Sequence, residues 1–399
     1  MITRFRVQNY KALRDVTLDL TPVHVLIGPN DSGKTSLLQA IEILSSTSDH
    51  PLREVIRPTA DRFWYQFEVS WEPSIGPLDQ YQVTIHGDIH SNNGSPQCRD
   101  EKYLGTDGLS VEISHGFNTS LFEDNDHSRQ RFSAQGMPPA LLSQIRDQLS
   151  GVQFYRFSPE SLKMPVVLDA RRQGRMEVNG LGLPQLLDEI RNHRNRFDTL
   201  EQRFCEVFSY VESIELIVQD AFASSPTDHR QVQKSEYAAG KGIQFRLKNG
   251  KKLLAGDASD GMFLVLAYLA LLNLPSPPRL LLIEEPENGI HPARLKEIIR
   301  ILKQLVSEQS HTQVLMTTHS PYVLHEFLPE EVTVCVREQN GEVKTRRLSD
   351  SKAVQEQMDF FSLGEIWTME GDEALIQPVT DENVDDPTGT PSGEVQPAS

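Results

Sequence analysis

The sequence predicts an α/β fold: a parallel sheet with helices on its faces, joined to an antiparallel β lobe and a helical insertion. Three stretches carry that expectation. Apolar "VHVLI" (23–27) runs into glycine-rich "GPNDSGKTS" (28–36) and on into a segment of helical periodicity. Apolar "LLLI" (280–283) stops abruptly at Glu284 and Glu285, and a second helical pattern follows from Pro292. Apolar "QVLM" (313–316) ends in "TTHSP". Short apolar runs alternating with amphipathic helices indicate parallel strands buried on both faces.

Taken in order, "ITRFRVQNY" and "LRDVTLDL" alternate at a period near two and read as a hairpin turning through Lys11 and Ala12. After the strand at 23–27, "KTSLLQAIEILSS" places Leu37, Leu38, Ile41 and Leu44 on one helical face. "FWYQFEVSW", "YQVTIHG" and "LSVEISHG" read as strands of an antiparallel insertion, with "DIHSNNGSPQCRDE" as a polar loop between them. From Pro138 the pattern turns helical: "PPALLSQIRDQL", "LPQLLDEIRNHRNRF" and "LEQRFCEVFSYV" read as helices, and "VQFYRFS" as a strand among them. "SIELIVQD" and "GIQFRLKNGKKLLA" are β again. "SDGMFLVLAYLALLNL" is a helix too apolar to face water. The last strands form a hairpin with Asn340-Gly341 at its turn. The expected organisation is a first part of the head at 1–137, a helical insertion at 138–215, a second part at 216–375 and a disordered acidic tail at 376–399. That tail is rich in Asp, Pro, Gly and Ser, too polar to fund a core.

The chemistry concentrates at the three strand ends. Gly28, four residues, then Gly33, Lys34 and Thr35 form a phosphate-binding loop. Its residues Gly28, Pro29, Asn30, Ser32 and Gly33 through Ser36 surround the site of the phosphates, all but Pro29 offering a backbone N–H, and the following helix adds positive potential. Lys34 is expected to reach the β- and γ-phosphates, and the Thr35 hydroxyl to ligate Mg2+. Asp31 is the odd member, since a carboxylate beside a triphosphate must point outward; Asp also tolerates a left-handed backbone. Adjacent carboxylates at the end of a buried strand repel each other and resist desolvation. A metal–triphosphate beside them removes that objection. Glu284 is therefore expected to hold Mg2+, and Glu285 to polarise the attacking water as general base. His319, after the third strand, is expected to sense the γ-phosphate.

The ordered set "GPNDSGKTS", "ASDGM", "LLLIEEPENGIHP" and "TTHSP" resembles ABC-type ATPase heads. Together with "ITRFRVQNYKAL", "FYRFSPESL" and "SLGEIW", it is similar in particular to the RecF/SMC/OLD branch and the small AAA-family ATPases that share its head. The likeness runs over about residues 1–370. It implies ATP hydrolysis to ADP and phosphate by two heads that sandwich two nucleotides. On that basis Ser259, Asp260 and Gly261 form the signature that faces the other copy's γ-phosphate, and Asn288 and His291 belong to the loop that crosses the interface. It also implies a homodimer or higher homo-oligomer, work on DNA maintenance or phage defence, and a nuclease or toxin effector as partner. Departures from the pattern are a signature without the double glycine of transporter cassettes, and Glu284 where aspartate is commoner. The Mg2+-sensing glutamine has one weak candidate, Gln66. The two halves are separated by no long coiled coil, and no C-terminal nuclease domain is expected. A nucleotide-gated binding module without turnover is the second reading, and a transporter cassette the third.

The remaining features say less. With 38% hydrophobic and 24% charged residues, the chain of 399 residues has the composition of an ordinary globular protein. No signal peptide, membrane span or metal spacing among Cys98, Cys205 and Cys335 is evident, so a reducing cytoplasm without membrane contact is expected. A net charge of -17 speaks against coating nucleic acid by bulk charge. "HGDIH" (86–90) reads as a polar loop. Arg171, Arg172 and Arg175, and Arg191, Arg194 and Arg196, read as solvated faces, with DNA or RNA contact as the alternative.

Overall fold

The computed structural model describes residues 1–49, 62–75, 78–88, 96–105, 110–115, 147, 149, 151–168, 174–222, 237–309 and 311–378. The first part comprises β1 (Ile2–Tyr10), β2 (Leu13–Asp19), β3 (Val23–Ile27), α1 (Lys34–Asp49), β4 (Arg62–Ile75), β5 (Leu78–Asp88), β6 (Pro96–Gly105) and β7 (Ser110–His115). Next come β8 (Val152–Tyr155), α2 (Pro159–Lys163), α3 (Leu183–Arg191), α4 (Arg194–Val207), β9 (Val211–Phe222), β10 (Tyr237–Leu247) and β11 (Lys252–Leu254). Then follow α5 (Asp260–Leu272), β12 (Leu280–Glu284), α6 (Pro292–Glu308), β13 (Gln313–Thr317) and α7 (Pro321–Leu324). The last are β14 (Val332–Arg337), β15 (Val343–Arg347), α8 (Lys352–Gln357) and α9 (Leu363–Leu375).

The three apolar runs lie in one sheet of order β15-β14-β3-β13-β12-β8, parallel except for the edge strand β15. β3 and β12 are not neighbours; β13 lies between them. Alternate side chains serve two cores, as the two-residue period of a strand requires. Leu280 and Leu282 join α1 and the antiparallel lobe, whereas Leu281 and Ile283 join α3, α4, α5 and α6. Helix α5 is the centre of the second core: Met262 through Leu272 are all buried. At about 1.5–3 kcal/mol for each large apolar side chain withdrawn from water, it is the chief apolar contributor on that side.

The antiparallel lobe has order β2-β1-β4-β5-β6-β7, and a three-stranded sheet, β11-β10-β9, flanks the helical region. The hairpin at Lys11 and Ala12 is present, with Asn9 and Lys11 at φ 58° and 53°. The hairpin at Asn340-Gly341 is present too, with Gly341 at φ 83°.

Three sequence expectations are corrected. The "polar loop" 88–101 contains the start of β6, which pairs along β5 from Leu78↔Gly105 to Gly87↔Pro96. Ladder bonds to β5 hold it as a strand although its sequence is polar, which is tertiary context overriding propensity. The helix expected to run through "RNHRNRF" breaks at Asn192 and His193; His193 sits at φ -108°, ψ 76°, and α4 restarts at Arg194. The restart lets α4 bury Leu200 and Phe204 on its own axis. The helix expected at 138–149 lies outside the described residues apart from 147 and 149, as do the tail beyond 378, Arg171, Arg172, Ile89 and His90, whereas His86, Gly87 and Asp88 of the expected polar loop "HGDIH" are the end of strand β5, paired with β4.

Candidate functional site

Strand β3 delivers the glycine-rich loop to the carboxyl edge of the parallel sheet, where ligands of open α/β sheets sit. Two of its glycines are required by geometry. Gly28 has φ +135°, and a Cβ there would lie 2.1 Å from the Cys335 carbonyl oxygen. Gly33 has φ +92°, and its Cβ would lie 2.6 Å from Val343 Cγ2. Lys34 is buried and folds back over the loop, donating from Nζ to the carbonyls of Gly28 at 2.8 Å and Pro29 at 2.7 Å. It also donates to Ser32 Oγ at 3.3 Å. Burial pulls its pKa below the usual lysine value, against the pull of nearby negative groups that include Glu285, Asp372 and Glu287. Pro29 and Asn30 form the exposed crest, and Ser36 lies in the first turn of α1. Asp31 takes the left-handed conformation, φ 66°, and its carboxylate turns outward to Arg337 Nη1 at 2.7 Å.

The acids meet this loop. Thr35 Oγ1 donates a short hydrogen bond to Glu284 Oε1, across 249 residues of sequence. Glu284 is 5% exposed, and its Oε2 lies 3.7 Å from Arg156 Nη1. The pairing Ile283↔Tyr155 sets Arg156 directly beside Glu284. Glu285 follows with φ +49°, a strained value for a non-glycine residue and one that clusters at functional sites. Its N–H donates to the Thr317 carbonyl at 3.1 Å. Its carboxylate is held at both oxygens: His319 Nε2 lies 3.2 Å from Oε1, and Asn288 Nδ2 donates to Oε2 at 2.6 Å.

The structure thus gathers Lys34, Thr35, Glu284, Glu285, Asn288 and His319 at adjoining strand ends. The signature segment lies at the start of α5. Ser259 precedes α5 and makes no side-chain capping bond; Asp260 pairs with Lys163 at 2.6 Å; both are exposed. A Cβ on Gly261 would lie 3.8 Å from Ile290 Cγ1, so the signature adjoins the loop that carries Asn288 and exposed His291. Gln66 sits within β4, paired with Gln8 and Thr84, among lobe strands. Sequence reasoning missed Arg156. It stood inside the expected strand "VQFYRFS" and the family-like "FYRFSPESL", but nothing in the sequence showed that β8 would lie beside β12.

A glycine cradle on the central strand, a buried lysine, and an acid strand meeting the cradle's threonine define a P-loop nucleotide-binding head. The model of the family described as "AAA domain, putative AbiEii toxin, Type IV TA system" matches residues 23–325, and the chain belongs to that family. The DNA replication and repair protein RecF of Staphylococcus epidermidis is 30% identical over 135 residues, 33% of this chain and 36% of that protein. RecF of Staphylococcus aureus matches to the same extent, 30% over 135 residues. The chain therefore spans 36% of the length of these relatives. Among solved structures, the SMC head domain from Thermotoga maritima is 13% identical with a TM-score of 0.40, covering 87% of this chain and 98% of that one. A Smc head with an extended coiled coil bound to the C-terminal domain of ScpA, derived from Pyrococcus furiosus, is 12% identical with a TM-score of 0.46, covering 90% of this chain and 99% of that one. Among the described residues, no helix is long and apolar enough to cross a membrane.

Proposed function

We propose that the protein binds Mg2+–ATP at the Lys34 loop and hydrolyses it to ADP and phosphate when two copies close over their nucleotides. The contact between Thr35 Oγ1 and Glu284 Oε1 carries this reading. It brings a hydroxyl and a carboxylate to one point, an all-oxygen donor pair of the kind Mg2+ takes. Thr35 and Glu284 would hold the ion, which when bound neutralises charge on the transferring phosphoryl group. The loop amides and Lys34 bind and orient the triphosphate; to do so, Lys34 exchanges its carbonyl partners for phosphate oxygens. Glu285 orients the attacking water and takes its proton. His319 holds the Glu285 carboxylate and is placed to feel the γ-phosphate. Ser259, Asp260 and Gly261 would complete the other copy's site, with Asn288 and His291 at the same interface.

The expected phenotypes separate these roles. Glu285→Gln should nearly abolish phosphate release and leave an ATP-bound dimer, measured by solution mass; wild-type turnover in that variant rejects the assignment. A second reading, a nucleotide-gated binding module with negligible turnover, has one observation in its favour: both Glu285 oxygens are already engaged, by His319 and Asn288. A phosphate-release assay on the wild type, with and without DNA, decides between them.

The RecF relatives are named for DNA replication and repair, and the family description includes a toxin system. A role in DNA maintenance or anti-phage defence, with a nuclease or toxin effector as partner, follows from those names as a proposal. Solution mass with a non-hydrolysable ATP analogue, repeated with DNA and with the product of any neighbouring effector gene, tests it. No change in mass in any condition would remove that role.

A further inference from the structure

The third acid of the run, Glu287, lies in the loop after β12 and has no part in the chemistry above, yet one of its carboxyl oxygens is buried. Its Oε1 accepts two hydrogen bonds, from Thr318 Oγ1 at 2.8 Å and from the His319 backbone N–H at 2.6 Å. Its Oε2 is buried and has no hydrogen-bond partner among the described residues. The His319 N–H lies past the end of β13 and so outside the sheet ladder; without Glu287 it would be an orphaned donor. The next residue in the chain, Asn288, holds Glu285 Oε2. One carboxyl therefore links the loop from β12 to the segment after β13. The two groups that grip the Glu285 carboxylate, His319 and Asn288, are its own hydrogen-bond partner and its own chain neighbour.

We propose that Glu287 is a positioning residue for the Glu285–His319 pair, and that it acts as a neutral carboxylic acid rather than as a carboxylate. The inference rests on the ATPase reading for its activity arm only. A charged carboxylate with one oxygen buried and unpaired is costly, whereas a neutral carboxyl still accepts both bonds through its carbonyl. Burial, the largest influence, pushes its pKa above the usual glutamate range, against hydrogen bonds from the His319 N–H, its own N–H and the Thr318 hydroxyl, and the nearby Glu285 charge pushes the same way as burial.

The test uses the full chain in three forms. Glu287→Gln keeps a carbonyl for both bonds and carries no charge. Its kcat should stay within about threefold of wild type, and Glu287→Ala should lower kcat by at least about tenfold with ATP affinity within about threefold. Thr318→Val removes one of the two bonds and should fall between them, which keeps the test usable if Glu287→Ala does not fold. The proposal is overturned if Glu287→Gln is as slow as Glu287→Ala, because charge would then matter. It is equally overturned if Glu287→Ala turns over normally, or if it loses ATP affinity and kcat together. A wild type that binds ATP without turnover would remove the ATPase reading instead. The positioning role is then read from the His319 imidazole signals in a 15N spectrum: they should move in Glu287→Ala and stay in Glu287→Gln, and identical spectra for all forms overturn it.

Discussion

Acid should weaken this fold through one buried histidine. His24 lies on β3, ten residues before α1 begins at Lys34, and is fully buried. Thr21 Oγ1 donates its hydrogen to the Val23 carbonyl at 2.7 Å, so His24 Nδ1–H must donate to Thr21 Oγ1 at 3.1 Å. Nε2 is then the acceptor of the Thr333 hydroxyl at 2.9 Å, tying β3 to β14. Burial first, and the charge of Arg347 second, lower the pKa from 6.5 to about 3. The folded value lies below the unfolded one. The native state therefore binds fewer protons between the two, and stability present above pH 6.5 is lost as pH falls toward 3. At about 1.4 kcal/mol per pH unit, the loss is about 2 kcal/mol at pH 5 and about 3 kcal/mol at pH 4. That is a large share of the ~5–15 kcal/mol of a typical domain. Urea unfolding at pH 7, 6, 5 and 4 should be run on wild type and on His24→Gln. Other titrating groups cancel in the difference, which should shrink by those amounts as pH falls. A difference independent of pH would refute the neutral, buried assignment.

Three further outcomes follow from local geometry. Gly28→Ala places a methyl 2.1 Å from a backbone carbonyl that cannot swing aside, so nucleotide affinity should collapse; binding like wild type in a fluorescent-ATP titration would contradict the cradle. Arg156→Ala removes the guanidinium that competes with a divalent cation for Glu284, so Mn2+ should bind the nucleotide-free protein more tightly, and an unchanged affinity counts against that competition. Leu266→Ala hollows the fully buried middle of α5 and should cost about 2–5 kcal/mol in urea unfolding without changing ATP affinity.

Where sequence reasoning succeeded, the signal was local. The strand at 23–27 buries both faces and therefore reads as an unbroken apolar run, and α5 likewise reads as buried because its apolar residues leave no polar stripe. Asp31 was flagged as electrostatically awkward, and both of its expected solutions are present together, the left-handed backbone and the outward carboxylate. The misses share another character. β6 is a strand because β5 offers it a ladder, and Arg156 is part of the site because β8 happens to flank β12. Lateral neighbours of this kind are invisible to periodicity, which reports only which face of an element is apolar.

The acid run itself shows how far the local signal extends. Three carboxyls within four residues pose one electrostatic problem in the sequence, and the fold solves it in three different ways. Glu284 is offset by Arg156 and the Thr35 hydroxyl, Glu285 is held by a histidine and an amide, and Glu287 is walled off where burial favours its neutral form. The spacing of the acids announces that a countercharge is needed. Which acid receives it is decided by the strand on either side: the residue just after β8 reaches Glu284, Thr317 of β13 and the two residues after it reach Glu285 and Glu287, and neither contact has a trace in the residues of β12. That division of labour is why the sequence suggests roles for the first two acids beside a phosphate loop, and why a role for the third emerges only from the dependence of Thr318 and His319 on it.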